Sequence, residues 1–281
     1  MNLTELKNFI FDLDGTLLDS SKEINKDTLE TIKKLKKLGK RFSINTGRTP
    51  LISMKFMAQI EPDFPCSFCN GAIIYDWKNK QIISKKTIPH DNAKQIIDVL
   101  FSEQATTLIY TTEAIYYKHF VKESDWVSKL LHVNNKLEDE FKVNIQEMTN
   151  DFDVTKHEIF KIICITNEVK GNMNQIREKL SSLEDIYSLQ SNGVILDIIP
   201  KDSDKGTGLN YIFDNGFAKI EDTCVFGDEK NDLPMFKVAK YRAVLGQARE
   251  EIKTEAQTMG QTWILDSNDN NGIGKFLEKT I

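Results

Sequence analysis

Cysteine is scarce in this chain, with only four among 281 residues, at Cys66, Cys69, Cys164 and Cys224. Cys66 and Cys69 form a single C-x-x-C, and no second pair exists to complete a zinc site, so the thiols read as core residues. The four histidines, His90, His119, His132 and His157, are dispersed and none adjoins a nucleophile motif, which leaves no Ser-His-Asp arrangement. Long apolar runs are missing: nothing approaches the ~18 residues that span a bilayer. Residues 1–7 lack a signal-peptide pattern before the apolar run at Phe9, so a cytoplasmic protein with no membrane partner is expected. A basic excess is missing too. Lys and Arg number 37 against 42 Asp and Glu, a net charge of -5, which argues against a nucleic-acid partner. There are no repeats and no low-complexity linker. What remains is an ordinary globular balance, 40% hydrophobic and 28% charged, in a chain long enough for two domains.

Against that background one stretch stands out, Asn8-Phe9-Ile10-Phe11-Asp12-Leu13-Asp14-Gly15-Thr16. Phe9, Ile10 and Phe11 suit a strand buried on both faces of a parallel sheet. Asp12 and Asp14 stand two residues apart, so in extended chain they share a face, and in open α/β sheets the crevice past the strand ends is where ligands bind. Asp12, Asp14, Thr16 and Glu23 also match the first, third, fifth and twelfth places of a calcium loop. That reading fails because Leu17 occupies the sixth place, where glycine makes the turn. A plain strand-to-helix capping role for the acids is the blander alternative.

The rest of the chain alternates. Residues 27–38 read as an amphipathic helix ending at Gly39, 41–45 as a second strand, and 50–60 as a helix opened by Pro50. Residues 67–71 read as a third parallel strand leading into a hairpin of 72–75 and 81–84. From 85 to 199 the strands are more polar and closely paired, at 106–111, 114–118, 159–166, 186–191 and 194–199, with helices at 91–102 and 170–183; residues 130–150 show no clear pattern. This predicts an antiparallel sheet with helices on one face, inserted into the first domain. After residue 200 the parallel rhythm returns, with strands at 223–226, 242–245 and 263–265 among helices. The expected class is therefore α/β: a Rossmann-like parallel core of 1–84 and 200–281, with an inserted α+β domain of 85–199.

Four loops at strand ends carry polar residues that a packed core would not want: Asp12 with Asp14, Thr46 with Arg48, Lys205, and Asp228 with Asn231 and Asp232. Taken in order, Asp12-Leu13-Asp14-Gly15-Thr16, Thr46-Gly47-Arg48, Lys205-Gly206 and Gly227-Asp228 to Asn231-Asp232 resemble the four motifs of the haloacid dehalogenase (HAD) superfamily, specifically its Cof-type phosphatases with a large mixed cap of the C2B type. The turn Asn70-Gly71-Ala72 and the run Leu196-Asp197-Ile198-Ile199-Pro200 are similar to the same branch. The resemblance covers almost the whole chain.

It implies a Mg²⁺-dependent phosphatase acting on a small phosphorylated metabolite, such as a sugar or cofactor phosphate, through an aspartyl-phosphate. Phosphate monoester hydrolysis is among the slowest uncatalysed reactions, and anionic repulsion is a main obstacle, so cations must surround the site. The implied metal set is Asp12, Asp228 and the backbone carbonyl of Asp14, with Asn231 and Asp232 assisting. With only its main chain on the metal, the Asp14 side chain is free to move protons while Asp12 attacks. Lys205 supplies charge to Asp12 and the phosphoryl group. Thr46, Gly47, Asn70, Gly71 and Asn231 are expected around the phosphate, and Arg48 either faces substrate or forms a structural ion pair. The inserted domain is expected to close over the site and select the leaving group, in a monomer or small homo-oligomer. The same motifs fit a phosphotransferase or mutase. A non-enzymatic receiver-type protein would also use Asp, Thr and Lys, although an insertion of this size argues against it.

Overall fold

The computed structural model describes residues 3–149, 151–191 and 193–281. Met1, Asn2, Asn150 and Asn192 lie outside the described residues, so the first two positions of the 1–7 reading and the last of 130–150 have no structural counterpart. The chain divides into two compact units, Met1–Lys85 with Asp204–Ile281, and Lys86–Ser203. Both edges differ slightly from the sequence boundaries. Lys85 is the last residue of a strand in the first unit, and the first unit resumes at Asp204, the cap of the next helix, rather than at Pro200, which ends a strand of the second.

The first unit opens with β1 (Asn8–Phe11), α1 (Lys26–Lys37), β2 (Arg41–Ile44), α2 (Met54–Ile60), β3 (Cys66–Phe68), β4 (Ile73–Asp76) and β5 (Gln81–Lys85). α1 starts where the Asn25 side chain accepts from the Asp27 amide, and it buries Thr28, Thr31, Ile32 and Leu35, one face of a 3.6-residue period. β1 and β2 are parallel neighbours in register from Asn8 opposite Arg41 to Phe11 opposite Ile44.

β3 departs from expectation. It pairs antiparallel with β4 in a separate three-stranded sheet and meets the main sheet through one isolated parallel bridge, Ser67 with Asn45. The reason is local: Cys69, Asn70 and Gly71 all take left-handed backbone, with φ of +51°, +52° and +92°, which ends the extended run after Phe68.

The second unit comprises α3 (His90–Ser102), β6 (Ala105–Thr111), β7 (Ile115–Lys118), α4 (Asp125–Asn135), β8 (Ile145–Glu147), β9 (Ile159–Val169), α5 (Met173–Ser181), β10 (Ile186–Ser191) and β11 (Ile195–Pro200). Its sheet runs β10-β11-β9-β6-β7-β8 and is antiparallel except for the β7–β8 pair. The patternless stretch 130–150 thus holds the end of α4 and a short strand. Ile96 and Ile176 of the helices pack on Ile109, Ile162, Leu196 and Ile198 of one sheet face. The opposite-facing Asp197 is buried with Lys161, 2.6 Å from it, and accepts from Ser191 Oγ at 2.6 Å.

The first unit resumes with α6 (Lys205–Asp214), β12 (Thr223–Gly227), α7 (Leu233–Val238), β13 (Tyr241–Val244), α8 (Glu250–Thr258), β14 (Thr262–Ile264) and α9 (Gly272–Glu278). The five-stranded parallel sheet has the order β14-β13-β12-β1-β2. Phe9, Phe11, Phe42, Phe226 and Phe276 form an aromatic layer on one face, with Phe11 and Phe226 centroids 4.9 Å apart. Ile10, Val225 and Val244 line the other face with residues of α6, α7 and α8. Among the described residues no helix is long and apolar enough to cross a membrane.

Candidate active site

The strand order reverses between β1 and β12: β2 lies on one side of β1, and β12 to β14 on the other. Such a switch point opens a crevice at the carboxyl ends of the strands. Asp12 follows β1, its amide donating to Phe226 O at 3.0 Å, and Asp228 follows Gly227 at the end of β12. Thr46 follows β2 after Asn45. Lys205 is the first residue of α6, placed by Asp204, whose side chain accepts from the Thr207 amide at 2.7 Å in a capping box.

A cation at a helix N-terminus opposes the dipole, yet Lys205 is fully buried there. Its Nζ lies 2.8 Å from Asp12 Oδ1 and 2.5 Å from Asp232 Oδ1. The other Asp232 oxygen accepts the amides of Asp228 and Glu229 at 2.8 and 2.9 Å, so this carboxylate braces both the lysine and the loop. Thr16 Oγ1 donates to Asp228 Oδ1 at 2.8 Å. Gly15 is left-handed, with φ +76°, and a Cβ there would collide with the Asp228 carboxylate. The chain after β1 can approach β12 this closely only through glycine.

Oxygens of Asp12, Asp228 and Asp232 all lie within 4.8 Å of one another. Three acids against one lysine leave, when all are ionised, a formal excess of two negative charges in a buried site. Burial raises the Asp228 carboxyl above its ordinary range, and Asp232 and Asp12 push it further. Burial also raises Asp12, against the pull of Lys205. Lys205 itself resists desolvation because Asp12 and Asp232 hold its proton. An excess of two negative charges on hard oxygen donors fits a divalent cation of the magnesium type.

Asp14 has a different setting. Arg48 grips it with two hydrogen bonds, Nε to Oδ2 at 2.6 Å and Nη2 to Oδ1 at 2.8 Å, and Lys22 Nζ adds a contact to Oδ1 at 2.9 Å. Burial works to raise this carboxyl, but the Arg48 bonds and charge, with Lys22, hold it well below the usual range. The Arg48 guanidinium lies 5.1 Å from the Phe56 ring centroid.

The left-handed turn after β3 supports the loop after β2. The Cys69 amide donates to Arg48 O at 2.8 Å and the Asn70 amide to Thr46 O at 3.1 Å. Asn70 Oδ1 accepts from Asn231 Nδ2 at 3.3 Å, which ties in the β12 loop, while Asn70 Nδ2 is buried with no partner among the described residues. An orphaned donor of this kind calls for an acceptor.

With this geometry in view, comparison with known proteins gives a direct result. A family model described as haloacid dehalogenase-like hydrolase matches residues 9–277. The chain belongs to this family. The HAD relatives include MG265 of Mycoplasma genitalium, 32% identical over 98% of each chain. They also include 5-amino-6-(5-phospho-D-ribitylamino)uracil phosphatase YwtE of Bacillus subtilis, 26% identical over 98% of each chain. Among solved structures, the HAD subclass IIB sugar phosphatase BT4131 superposes with a TM-score of 0.77 at 22% identity, covering 97% of this chain and 98% of that one. The chain is thus a HAD hydrolase of the phosphatase branch.

In this HAD hydrolase the structure gathers Asp12, Asp228, Asp232 and Lys205 into one buried cluster. The Asp14 side chain is engaged with Arg48, and Asn231 meets Asn70. Arg48, for which two roles were open, forms an ion pair with Asp14. Gly71 packs under the start of α6, where a Cβ would collide with Asp204 O. Sequence reasoning missed Lys22, Gln247, whose amide donates to Gly15 O, and Asn45, whose Nδ2 donates to Lys205 O at 2.7 Å. Thr16 lay within the first motif, so its bond to Asp228 had a signal. Lys22 sits in a polar run, Ser20-Ser21-Lys22-Glu23, with nothing to mark it.

Proposed function

We propose that this HAD hydrolase is a cytoplasmic, Mg²⁺-dependent phosphatase that hydrolyses a small phosphorylated metabolite through an aspartyl-phosphate formed on Asp12. The observation that carries the reading is the buried cluster of Asp12, Asp228 and Asp232 around Lys205, with two negative charges in excess. Asp12 and Asp228, with the Asp14 carbonyl, would hold Mg²⁺, which supplies charge neutralisation for the carboxylates and the phosphoryl oxygens. Four free, buried thiols suit a reducing compartment.

Asp12 is the nucleophile because Lys205 fixes its Oδ1 and counters the charge that builds as it approaches phosphorus. Asp232 keeps Lys205 aimed by taking its second hydrogen bond. Thr46, Gly47 and the free Nδ2 of Asn70 donate to the phosphoryl oxygens. Asp14 moves the protons: it gives one to the departing alcohol oxygen, and then takes one from the water that attacks the phospho-Asp12 bond. Held by two cations, Asp14 rests as the carboxylate, the form that accepts the proton from water, and it must take up a proton from solvent before it gives one to the alcohol. The named substrates of the relatives are small phosphorylated molecules, and the choice among them is assigned to the inserted unit of residues 86–203. Phosphate release from a metabolite panel with and without Mg²⁺ tests the reading. Product analysis with a sugar acceptor separates hydrolysis from transfer. Turnover by Asp12→Asn equal to the parent enzyme's removes Asp12 from the mechanism.

A further inference from the structure

The chain between β1 and α1 folds into a small hairpin, with Leu18 bridged to both Asp14 and Ile24. Its tip is a tight turn in which the Lys22 amide donates to Asp19 O and the Asp19 amide to Glu23 O, both at 3.0 Å. Asp19 Oδ1 also accepts from the amides of Ser21 and Glu23 at 2.9 and 3.1 Å. The hairpin is anchored from outside. Lys55 holds Glu23 at 2.6 Å, Asn268 Nδ2 donates to Leu18 O at 2.8 Å, and Asp269 accepts the Ser20 amide at 2.7 Å.

Lys22 occupies the left-handed position of this turn, with φ +63°. Left-handed backbone costs a non-glycine residue about 1–2 kcal/mol, and Gly or Asn would sit there with less strain. The lysine sits where its backbone is disfavoured, and its Nζ reaches Asp14 Oδ1 at 2.9 Å. Arg48 Nη2 occupies the same oxygen at 2.8 Å, whereas among the described residues Oδ2 receives only Arg48 Nε, at 2.6 Å. Each carboxylate oxygen has two lone pairs. Oδ1 is therefore filled, and Oδ2 keeps one lone pair open.

We infer that Lys22 is a positioning residue for proton transfer: by filling Oδ1 of Asp14 it leaves Oδ2 as the atom that exchanges the proton with the leaving-group oxygen. The inference rests on the proton-transfer role given to Asp14 above. Without the ammonium the carboxylate can rotate within the Arg48 fork, and Oδ2 loses its fixed place. Misplacement of a reacting group by about 1 Å costs on the order of a hundredfold.

The test uses Lys22→Asn, which suits left-handed backbone, Lys22→Arg, which keeps a cation, and Asp14→Asn. Each is assayed in the full-length enzyme with Mg²⁺ on an alkyl phosphate, which needs its leaving group protonated, and on p-nitrophenyl phosphate, which does not. Lys22→Asn is expected to lower kcat/KM about 10–100-fold on the alkyl phosphate and less than about threefold on p-nitrophenyl phosphate. Lys22→Arg should recover most of the loss, and the melting temperature of Lys22→Asn should equal or exceed the parent's. An equal loss on both substrates, no loss, or no recovery with Arg overturns the inference. If Asp14→Asn discriminates between the substrates and Lys22→Asn does not, the inference alone fails. If Asp14→Asn does not discriminate, the role of Asp14 itself fails and the inference with it.

Discussion

Asp12→Asn separates what Asp12 does for the reaction from what it costs the fold. The change removes one charge and exchanges one oxygen for nitrogen at constant shape. Without metal, the ionised carboxylate is a burden: burial penalises it, Asp232 repels it, and Lys205 returns only part through a hydrogen bond 2.8 Å long. Burying an ion costs several kcal/mol after relaxation, and a charge-assisted bond recovers about 1.5–3 kcal/mol. Asn keeps a polar partner for Lys205, which also retains Asp232. The net expectation in EDTA near pH 8 is a variant more stable by roughly 1–2 kcal/mol, about 2–8 °C in melting temperature for a protein of this size.

The sign with pH follows from linkage. Folding raises the Asp12 carboxyl, so between its ordinary and raised values the folded state holds more protons than the unfolded one, and stability falls as pH rises through that window. The gap between variant and parent should therefore widen from about pH 5 to about pH 8. Saturating Mg²⁺ should reverse the order, because the parent gains about 2.7 kcal/mol at a hundredfold excess over Kd and the variant, short of one charged ligand, gains less. Phosphate release should fall by about a thousandfold or more. Melting curves in EDTA and in Mg²⁺, with turnover on the best substrate, make the measurement. Turnover within tenfold of the parent, or a variant clearly less stable in EDTA near pH 8, refutes the reasoning.

Other outcomes follow from the same geometry. Lys205→Met strands Asp12 and Asp232 in a buried site and should cost about 3–5 kcal/mol by urea denaturation, with kcat down about 10²–10³-fold; a variant as stable as the parent contradicts this. The rise in melting temperature on adding Mg²⁺ should be larger near pH 8 than near pH 5.5, because the raised Asp12 and Asp228 hold protons at the lower value; a flat profile counts against the cluster as the metal site. Gly71→Ala places a Cβ against Asp204 O in left-handed backbone and should destabilise by more than about 2 kcal/mol in thermal melts, where a neutral result would mean the turn relaxes freely.

The sequence could be read where one residue's environment follows from its immediate neighbours. Phe9 to Phe11 announced a strand buried on both faces, and Asp12 and Asp228, each at the end of such a run, announced the edge. The parallel core and the acid cluster were legible for that reason. Contacts set by register and turn geometry were not. Nothing local says that Lys22 meets Asp14, or that Lys161 and Asp197 pair across two strands of the second unit. The strand at Cys66–Phe68 keeps one parallel bridge to the main sheet and otherwise joins the hairpin's sheet, because three successive left-handed residues end it, a turn that the Asn-Gly pair announces only in part. Residues 130–150 hid a short parallel strand because three residues are too few to show a period.

The pairing of β1 with β12, Asn8 opposite Thr223, also has a consequence during synthesis. A ribosome adding about 5–20 residues each second delivers β12 roughly ten to forty seconds after β1. For that interval Phe9 and Phe11 have β2 on one side and an open hydrogen-bonding edge on the other, an invitation to pairing with other nascent chains. The intervening residues 86–203 form a compact unit with its own apolar core, able to fold while the edge waits. Synonymous codons that slow translation between residues 86 and 203 should therefore lower the soluble yield without altering a single side chain.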